Sequence, residues 1–161
     1  MKLLIHDANI LIDLIKTESV RQFFSLEYEM ITTNAVLQEL RADQRCELDA
    51  VINGRKLVIR QIKEKEDDFI SRLFEKNPAL SYPDCTVLFV AEDMKATLLT
   101  CDQKLRSCAV GKGIEVSGIF WAFDEMFKKK KLTKAEYKEK LAVLRKVNRW
   151  LPATEFEKRK S

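Results

Sequence analysis

Short apolar runs alternate with amphipathic stretches along most of the chain, and this alternation predicts an α/β fold. The apolar runs predict strands at 3–5, 30–33, 57–59, 96–100 and, more weakly, 114–116. The stretches between and after them predict helices at 10–15, 18–25, 36–40, 48–52, 64–76, 81–91, 103–109, 118–127 and 133–150. Since parallel strands joined by helices form layered sheets with right-handed crossovers, we expect an α/β/α sandwich. Its central sheet is mostly parallel, with about four to five strands flanked by helices.

Local signals mark the ends of several of these helices. Asn34 is the expected N-cap of the helix that follows the second strand. Asn53-Gly54 and Asn77-Pro78 are expected to end two further helices, because glycine and proline interrupt a helical pattern. Thr133 begins the last helix, and a glutamate three residues later completes a capping box.

The sequence predicts a single domain over 1–161, in which 117–161 form a C-terminal helical extension. We find no internal repeat, low-complexity segment or Gly/Ser-rich hinge. No run reaches the roughly 18 apolar residues that a transmembrane helix needs. His6 and Asp7 interrupt the first apolar stretch too early for a signal peptide. We therefore expect a cytoplasmic protein with no membrane partner.

Scarce residue types exclude several chemistries. His6 is the only histidine and the chain has only 4 glycines, which excludes two-histidine metal sites, GxGxxG motifs and Walker phosphate loops. No GxSxG motif frames a serine nucleophile. The cysteines show no CxxC spacing and lie within apolar patterns, so we expect reduced core thiols. They are Cys46, Cys85, Cys101 and Cys108.

Charge is distributed unevenly along the chain. Residues 1–127 contain 16 Lys and Arg against 21 Asp and Glu, whereas residues 128–161 contain 13 against 4. A basic tail after an acidic body is compatible with a nucleic-acid partner. The alternative is an ordinary solvated helix, because Tyr137, Leu141 and Leu144 recur at the spacing of one buried face.

Three aspartates occupy equivalent places in the alternation of strands and helices. Asp7 and Asp102 follow the first and fourth predicted strands, and Asp84 lies in the first turn of the helix before the fourth strand. Each has a structural alternative as a helix cap, typically worth ~1 kcal/mol. The carboxyl ends of parallel strands lie along one edge of a sheet, where ligands bind at the topological switch point. We therefore expect Asp7 and Asp102 to face one crevice.

A fourth acid, Glu39, lies inside the helix after the second strand and fits no capping role. The alternative interpretation of Glu39 is an ordinary exposed helix position near Arg41. If the four carboxylates converge, their mutual repulsion requires a cation. Oxygen ligands without His or Cys favour magnesium or manganese, and such ions promote attack of water on a phosphodiester. These residues therefore predict metal-dependent phosphodiester hydrolysis.

The segments around the four acids resemble the motifs of PIN domains. These segments are 4–14, 33–40, 81–84 and 98–105. Their order and spacing are especially similar to those of the VapC-like ribonuclease toxins of type II toxin–antitoxin systems. The resemblance implies a single PIN domain that is a metal-dependent endoribonuclease, with RNA as substrate and a cognate antitoxin as partner. It also implies products with 5′-phosphate and 3′-hydroxyl ends.

The same resemblance assigns roles to individual residues. The implied catalytic residues and ligands of magnesium or manganese are Asp7, Glu39, Asp84 and Asp102. Asn9 and Thr100 are implied to assist them through hydrogen bonds. Lys104 and Arg106 are candidates for phosphate contact, with ordinary surface charge as the alternative.

Two other functions and one question of assembly stay open at the level of sequence. One alternative is a non-catalytic RNA-binding or scaffolding PIN domain that uses the basic tail. Retention of four mutually repelling acids argues against it, because a site without catalytic function does not require them. The other is a structure-specific DNA nuclease, which the lack of a helical arch or an added DNA-binding module disfavours. The sequence leaves a homodimer open.

The remaining polar and aromatic candidates have more ordinary interpretations. Asp13 lies one turn beyond Asn9 on the same helix face and could support the acidic site, but a solvent-facing helical acid is favoured. We expect His6 to be a packed or hydrogen-bonded core histidine, directed away from Asp7 by strand alternation. Trp150 and Phe156 could stack on bases, but packing in the core or an interface is favoured for both.

Overall fold

The computed structural model describes residues 2–160 and contains, over that range, one sheet of five strands. The strands are β1 (Leu3–His6), β2 (Glu29–Thr33), β3 (Leu57–Arg60), β4 (Thr97–Leu99) and β5 (Val116–Ser117). Their order is β3-β2-β1-β4-β5, and every neighbouring pair is parallel. The predicted α/β fold with a mostly parallel sheet is confirmed.

Helices cover the sheet and form the C-terminal part of the chain. They are α1 (Ala8–Lys16), α2 (Val20–Phe24), α3 (Asn34–Glu39), α4 (Ala42–Cys46), α5 (Asp49–Asn53), α6 (Glu64–Lys76), α7 (Tyr82–Met94), α8 (Gln103–Gly111), α9 (Ile119–Lys128), α10 (Lys134–Val147) and α11 (Ala153–Glu157). Nine of them correspond to predicted helical segments, whereas the short helices α4 and α11 have no counterpart in the predicted pattern.

The direction of sheet growth reverses next to β1. The chain adds β2 and β3 on one side of β1 and then crosses to the other side for β4 and β5. Connections that leave β1 and β4 therefore diverge, which opens a crevice at the carboxyl ends of these two strands. Asp7 follows β1 directly, and residues 100–102 follow β4.

Helix α7 is buried on most of its surface, as its long apolar run predicts. It packs against β1, β2 and β4, and Cys85, Val87 and Leu88 have no solvent exposure. Because α7 returns the chain to the start of β4, its first turn lies at the carboxyl edge of the sheet. Asp84, in that first turn, is thereby placed at the same edge as Asp7.

The N-cap of α3 differs from the predicted one. Thr33 is the cap, because its hydroxyl accepts a hydrogen bond from the backbone N–H of Val36 at 3.2 Å. Asn34 is the first helical residue, and its side-chain carbonyl accepts from the backbone N–H of Ile62 at 3.1 Å. The helix ends at Glu39 because Leu40 has extended dihedral angles, with φ −82° and ψ 144°.

The C-terminal helices pack onto the body of the domain. Helix α10 contacts α1 and α9 and buries Tyr137, Leu141 and Leu144, and its predicted capping box at Thr133 is present. The Lys140 ammonium donates to the backbone carbonyls of Thr17 and Glu18 at 3.0 and 2.8 Å, at the C-terminal end of α1. The helix ends at Val147, three residues before the predicted end.

The four cysteines are free thiols but do not share one environment. Cys85 is buried, and Cys101 and Cys108 are half-buried. Cys46 is exposed, so the prediction of a core position is wrong for this residue. It lies on the unpredicted helix α4, in which only Gln44 is buried.

None of the helices within residues 2–160 is long and apolar enough to cross a membrane.

Candidate functional site

Asp7 lies at the centre of the crevice and caps α1. Its Oδ1 accepts a hydrogen bond from the backbone N–H of Ala8 at 2.7 Å, and its Oδ2 accepts from the Thr100 hydroxyl at 2.8 Å. The residue is 2% exposed. Burial raises the pKa of Asp7 to about 7, and the negative charges of Asp84 and Glu39 add to this effect although the two hydrogen bonds oppose it.

Thr100 joins the two aspartates that follow β1 and β4. It is fully buried, and its hydroxyl donates to Asp7 while accepting from the backbone N–H of Asp102 at 3.1 Å. The Asp102 carboxylate caps α8 by accepting from the backbone N–H of Leu105 at 2.9 Å. Thr100 thus links the Asp7 carboxylate to the backbone of Asp102.

Asp84 is held by the start of α7. It forms a reciprocal capping box with Ser81, in which Asp84 Oδ2 accepts from the Ser81 N–H at 3.0 Å and Ser81 Oγ accepts from the Asp84 N–H at 3.1 Å. The other carboxylate oxygen, Oδ1, has no hydrogen-bond partner in the described part of the chain, which leaves it available to a ligand.

Glu39 is the last residue of α3 and is exposed. Partial burial and the charge of Asp84 raise the pKa of Glu39. The helix that carries it is tied to α7 by two buried hydroxyls, since Thr33 Oγ1 and Thr86 Oγ1 are 2.8 Å apart. Thr86 donates to the carbonyl of Pro83 at 2.6 Å, so Thr33 is the donor in the pair.

Three carboxylates are therefore coupled electrostatically without a compensating cation. Asp84 raises the pKa of both Asp7 and Glu39. Between Lys2 and Lys160, no lysine, arginine or histidine forms an ion pair with any of these three acids. Uncompensated carboxylates at close range favour either a bound proton or a bound cation.

The donor set fits a hydrated, hard divalent cation better than a closed metal cage. Over residues 2–160, no three Asp, Glu, His or Cys side chains are grouped closely enough to hold an ion among themselves. Magnesium commonly keeps several waters and is held by one or two carboxylates together with substrate phosphates. The free oxygen of Asp84 and the proton-binding carboxylate of Asp7 suit that mode of binding.

The other predicted site residues lie close in sequence to these acids but are not all part of one network. The Asn9 side chain is exposed and makes no hydrogen bond with residues 2–160. Lys104 is exposed and Arg106 is half-buried. A Cβ placed on Gly118 would lie 3.5 Å from Nη2 of Arg106, which locates this guanidinium beside the chain segment that follows β5.

A cavity of about 600 Å³ lies next to Glu39. Its walls include the amide side chains of Asn34 and Gln38, the Lys63 side chain and the ring of Tyr82. The Tyr82 hydroxyl donates to Asp67 on α6. The cavity therefore combines hydrogen-bonding amides with an aromatic ring at the margin of the acidic crevice.

Asp13 does not face solvent, so that prediction is wrong. It is 4% exposed, and its Oδ2 accepts from the side-chain amide of Asn148 at 2.8 Å. Burial raises the pKa of Asp13 to about 6. The sequence held one signal for this burial, because Asp13 lies between Ile12 and Leu14 in a helix that is apolar on most sides.

His6 has the structural role predicted for it. It has no solvent exposure, its Nδ1 lies 3.1 Å from the carbonyl of Ile31, and its ring packs between Phe23 and Phe24. Burial lowers the pKa of His6 to about 4. A neutral ring must donate its Nδ1 proton to that carbonyl.

Phe156 and Trp150 have opposite environments. Phe156 is buried and packs edge-to-face on Phe120, with ring centroids 4.9 Å apart. Trp150 is 95% exposed, so the packing prediction is wrong for this residue within the chain. It follows the end of α10, where no other element of the described chain covers it.

Solved structures of three proteins resemble this fold. PAE2754 from Pyrobaculum aerophilum has a TM-score of 0.56 and 15% identity, over 78% of this chain and 95% of that chain. VapBC2 from Rickettsia felis, bound to a DNA fragment from its promoter, has a TM-score of 0.53 and 15% identity, over 72% and 98%. The PilT N-terminus domain protein SSO1118 from Sulfolobus solfataricus P2 has a TM-score of 0.49 and 12% identity, over 78% and 93%.

At such identities these likenesses concern the fold alone. No curated protein matches the sequence. The model of the family described as DUF3368, PIN domain, matches residues 3–161, which is nearly the whole chain. With the strand order and the acids at the switch point, this match identifies the chain as a member of the PIN-domain family.

Proposed function

We propose that this protein is a magnesium- or manganese-dependent endoribonuclease. The observation that supports this most strongly is the coupled set of Asp7, Glu39 and Asp84 at the switch point, with pKa values of Asp7 and Glu39 raised and no cationic side chain of residues 2–160 to balance them. Membership of the PIN-domain family supports it as well, because PIN domains are generally nucleases.

In this proposal Asp7 and Asp84 would hold the hydrated cation directly, and Glu39 and Asp102 would contact it through its bound waters. When bound, such an ion promotes attack of water on a phosphodiester and stabilises the charge that develops on its oxygens. The protein contributes the placement of its carboxylates, three of them on separate elements that the sheet and the Thr33–Thr86 link hold together.

Thr100 orients Asp7 through the hydrogen bond to Oδ2, which leaves one lone pair on each Asp7 oxygen for a ligand. In the protein without a cation, the raised pKa of Asp7, about 7, favours a bound proton over a wider pH range than for a free aspartate. Binding of a cation must displace this proton, so cation affinity should rise with pH between about 5 and 8.

RNA would enter the crevice at the carboxyl edge of β1 and β4. The cavity of about 600 Å³ next to Glu39 has room for one nucleotide. Lys104, exposed on the first turn of α8, and the half-buried Arg106 would contact phosphates that flank the site. Hydrolysis would leave 5′-phosphate and 3′-hydroxyl ends, and Asn9 would assist from the first turn of α1.

We also propose a toxin role in the cytoplasm, in which a cognate antitoxin covers the acidic crevice. The fold likeness to VapBC2 is compatible with such a partner. Copurification from a strain that expresses the neighbouring reading frames tests this point. A stable complex in which RNA cleavage is suppressed supports the toxin role, whereas full activity in every recovered complex counts against it.

The molar mass of the purified protein in solution decides between monomer and homodimer.

Cleavage of labelled single-stranded and structured RNA with and without Mg²⁺ or Mn²⁺ tests the activity. We expect divalent-dependent products for the wild type and for Asp68→Asn, a control at an exposed acid on α6. Asp7→Asn and Asp84→Asn should lose at least roughly 100-fold in rate, on the order of the contribution of an electrostatic catalytic group. Persistent cleavage by an Asp7→Asn/Asp102→Asn double variant would refute the assignment.

The basic C-terminal segment favours one alternative, an RNA-binding PIN domain without catalysis. Calorimetric titration separates the two functions. Absence of heat with millimolar Mn²⁺, together with RNA binding, would favour the non-catalytic protein. Cleavage of branched or flapped DNA but not RNA would instead indicate a structure-specific DNA nuclease.

A further inference from the structure

Trp150 is the most exposed large apolar side chain of the described residues. It is 95% exposed, although tryptophan is the side chain with the largest apolar surface to bury. The other tryptophan, Trp121, is half-buried and packs near Tyr28 with ring centroids 5.8 Å apart. Tryptophan is enriched where proteins contact partners, so an indole exposed to this extent is a candidate contact residue.

The backbone that carries this indole is held in place by Asn148. The Asn148 side chain donates through Nδ2 to the buried Asp13 at 2.8 Å and accepts through Oδ1 from the backbone N–H of Trp150 at 3.2 Å. Asp13 belongs to α1, in the core of the domain. Trp150 is thus attached to a rigid element and does not hang from a loose chain end.

The attachment point is close to the acidic crevice. Asp13 comes six residues after Asp7 on the same helix, a separation of about 9 Å along its axis. Both acids also act on Cys101, since burial and then the charges of Asp13 and Asp7 raise the pKa of its thiol. A short stretch of extended single-stranded nucleic acid can therefore reach from the crevice to Trp150.

Two unpaired cations lie within four residues of Trp150 in the sequence. Lys146 and Arg149 are exposed, and neither forms an ion pair with an acid of residues 2–160. Arg145, by contrast, pairs with Glu157 at 3.3 Å. The segment 128–149 is rich in Lys and Arg and poor in acids. Its charge is complementary to a polyanion.

We infer that Lys146, Arg149 and Trp150 form a stacking platform for single-stranded RNA beside the acidic crevice. One base stacks on the Trp150 indole and the flanking phosphates lie against the two cations, a combination that binds single strands with little sequence preference. An acidic protein would use the cations but would leave the indole without a base to stack on. The platform rests on the proposed ribonuclease function, since it places the strand for that site.

Fluorescence measures binding to this stacking platform without any cleavage. In a Trp121→Phe protein, Trp150 is the only tryptophan, and the buffer contains EDTA so that no divalent cation is present. We expect a decaribonucleotide, rU10 or rA10, to quench the emission in a saturable manner. Duplex RNA of equal length should quench much less, because its bases are already stacked.

Anisotropy of a labelled rA10 compares the variants. Trp150→Ala should weaken binding by roughly 5- to 100-fold, and Trp150→Phe should restore part of it. Lys146→Gln/Arg149→Gln should lower the slope of log affinity against log salt by roughly 0.7 for each phosphate that is no longer neutralised. Phe69→Ala is the matched control, since Phe69 is 62% exposed beside Arg72 on α6. It should bind as the wild type does.

The outcomes separate the platform from the proposed function. Affinity of Trp150→Ala equal to that of the wild type overturns the platform, and so does quenching by polyglutamate but not by RNA. Quenching by RNA in a protein that never cleaves RNA with any divalent cation supports the platform and refutes the ribonuclease. Asn148→Ala should weaken rA10 binding while far-UV circular dichroism stays unchanged, because it releases the backbone of Trp150 without unfolding the domain.

Discussion

Replacing Asp7 with asparagine should stabilise the protein at high pH when no divalent cation is present. Asp7 is 2% exposed, and burial raises its pKa from 3.8 to about 7. The folded state therefore binds this proton more tightly than the unfolded chain does. The free energy of unfolding falls as pH rises from about 4 to about 7, because the folded protein must ionise a buried carboxyl.

The size of the effect follows from the two pKa values. Ionising Asp7 in the folded state costs roughly 4 kcal/mol of stability above pH 7, at about 1.4 kcal/mol for each pH unit between 3.8 and 7. Asparagine cannot ionise and avoids this cost. The variant loses about 1 kcal/mol of stability, because its side-chain amide replaces the carboxylate oxygen that accepts the hydrogen bond from the Thr100 hydroxyl. The net gain at pH 8 is roughly 3 kcal/mol.

Urea unfolding followed by far-UV circular dichroism in EDTA, at pH 5 and pH 8, measures this gain. The stability of Asp7→Asn relative to wild type should rise by roughly 3 kcal/mol from pH 5 to pH 8. Taking the difference cancels the titration of groups common to both proteins, such as His6 and Asp13. Asp68→Asn, at an exposed acid, should show no such change. A stability difference that is independent of pH would refute the electrostatic reasoning.

Addition of a divalent cation at about 100 times its Kd should remove most of the stability advantage of Asp7→Asn at pH 8. A ligand at about 100 times its Kd stabilises the folded state by about 2.7 kcal/mol, and only the wild type retains the Asp7 carboxylate. Equal stabilisation of both proteins by Mn²⁺ would show that Asp7 is not among its ligands.

Three further predictions concern other parts of the molecule. Thr100→Val removes the hydrogen bond to Asp7, so it should lower stability by about 1–3 kcal/mol and move the Asp7 titration in urea unfolding above pH 7. Cys46 should react first with Ellman's reagent, and Cys46→Ser should abolish that phase. Cys85 should react only on unfolding, since it is buried and its pKa is raised to about 11. Leu144→Ala should cost roughly 2–5 kcal/mol in a single unfolding transition if 117–161 belong to the same domain, whereas two transitions would separate the extension.

Features encoded by neighbouring residues are predictable from the sequence. The periods of the apolar positions locate the five strands and nine of the eleven helices of the described residues, and Thr133 and Gly54 mark observed helix ends as predicted. The α/β alternation implies a parallel sheet, and a parallel sheet implies that Asp7 and Asp102 lie at the same edge. These inferences hold because they depend on local geometry and on a small set of permitted topologies.

Features that depend on distant segments are not predictable in this way. The helical pattern predicts a solvent-facing Asp13, but α10 covers it through Asn148, which is 135 residues further along the chain. The hydrogen bond between Thr33 and Thr86, which joins two acid-bearing helices, is likewise a contact between distant segments, with a sequence separation of 53 residues. Burial of a polar side chain is decided by the surface that packs over it, and an isolated helix pattern does not contain that surface.

The sequence by itself determined the fold class, the absence of histidine-based and nucleotide-loop chemistry, and the candidate acids, because these follow from composition and local periodicity. Tertiary structure alone decided which acids share an electrostatic environment, since the raised pKa of Asp7 results from burial and from Asp84 and Glu39 on other elements. It also decided that Trp150 is presented to solvent while Phe156 is buried. Both aromatics follow the same basic helix, and only the packing of α11 on α9 and α10 distinguishes their environments.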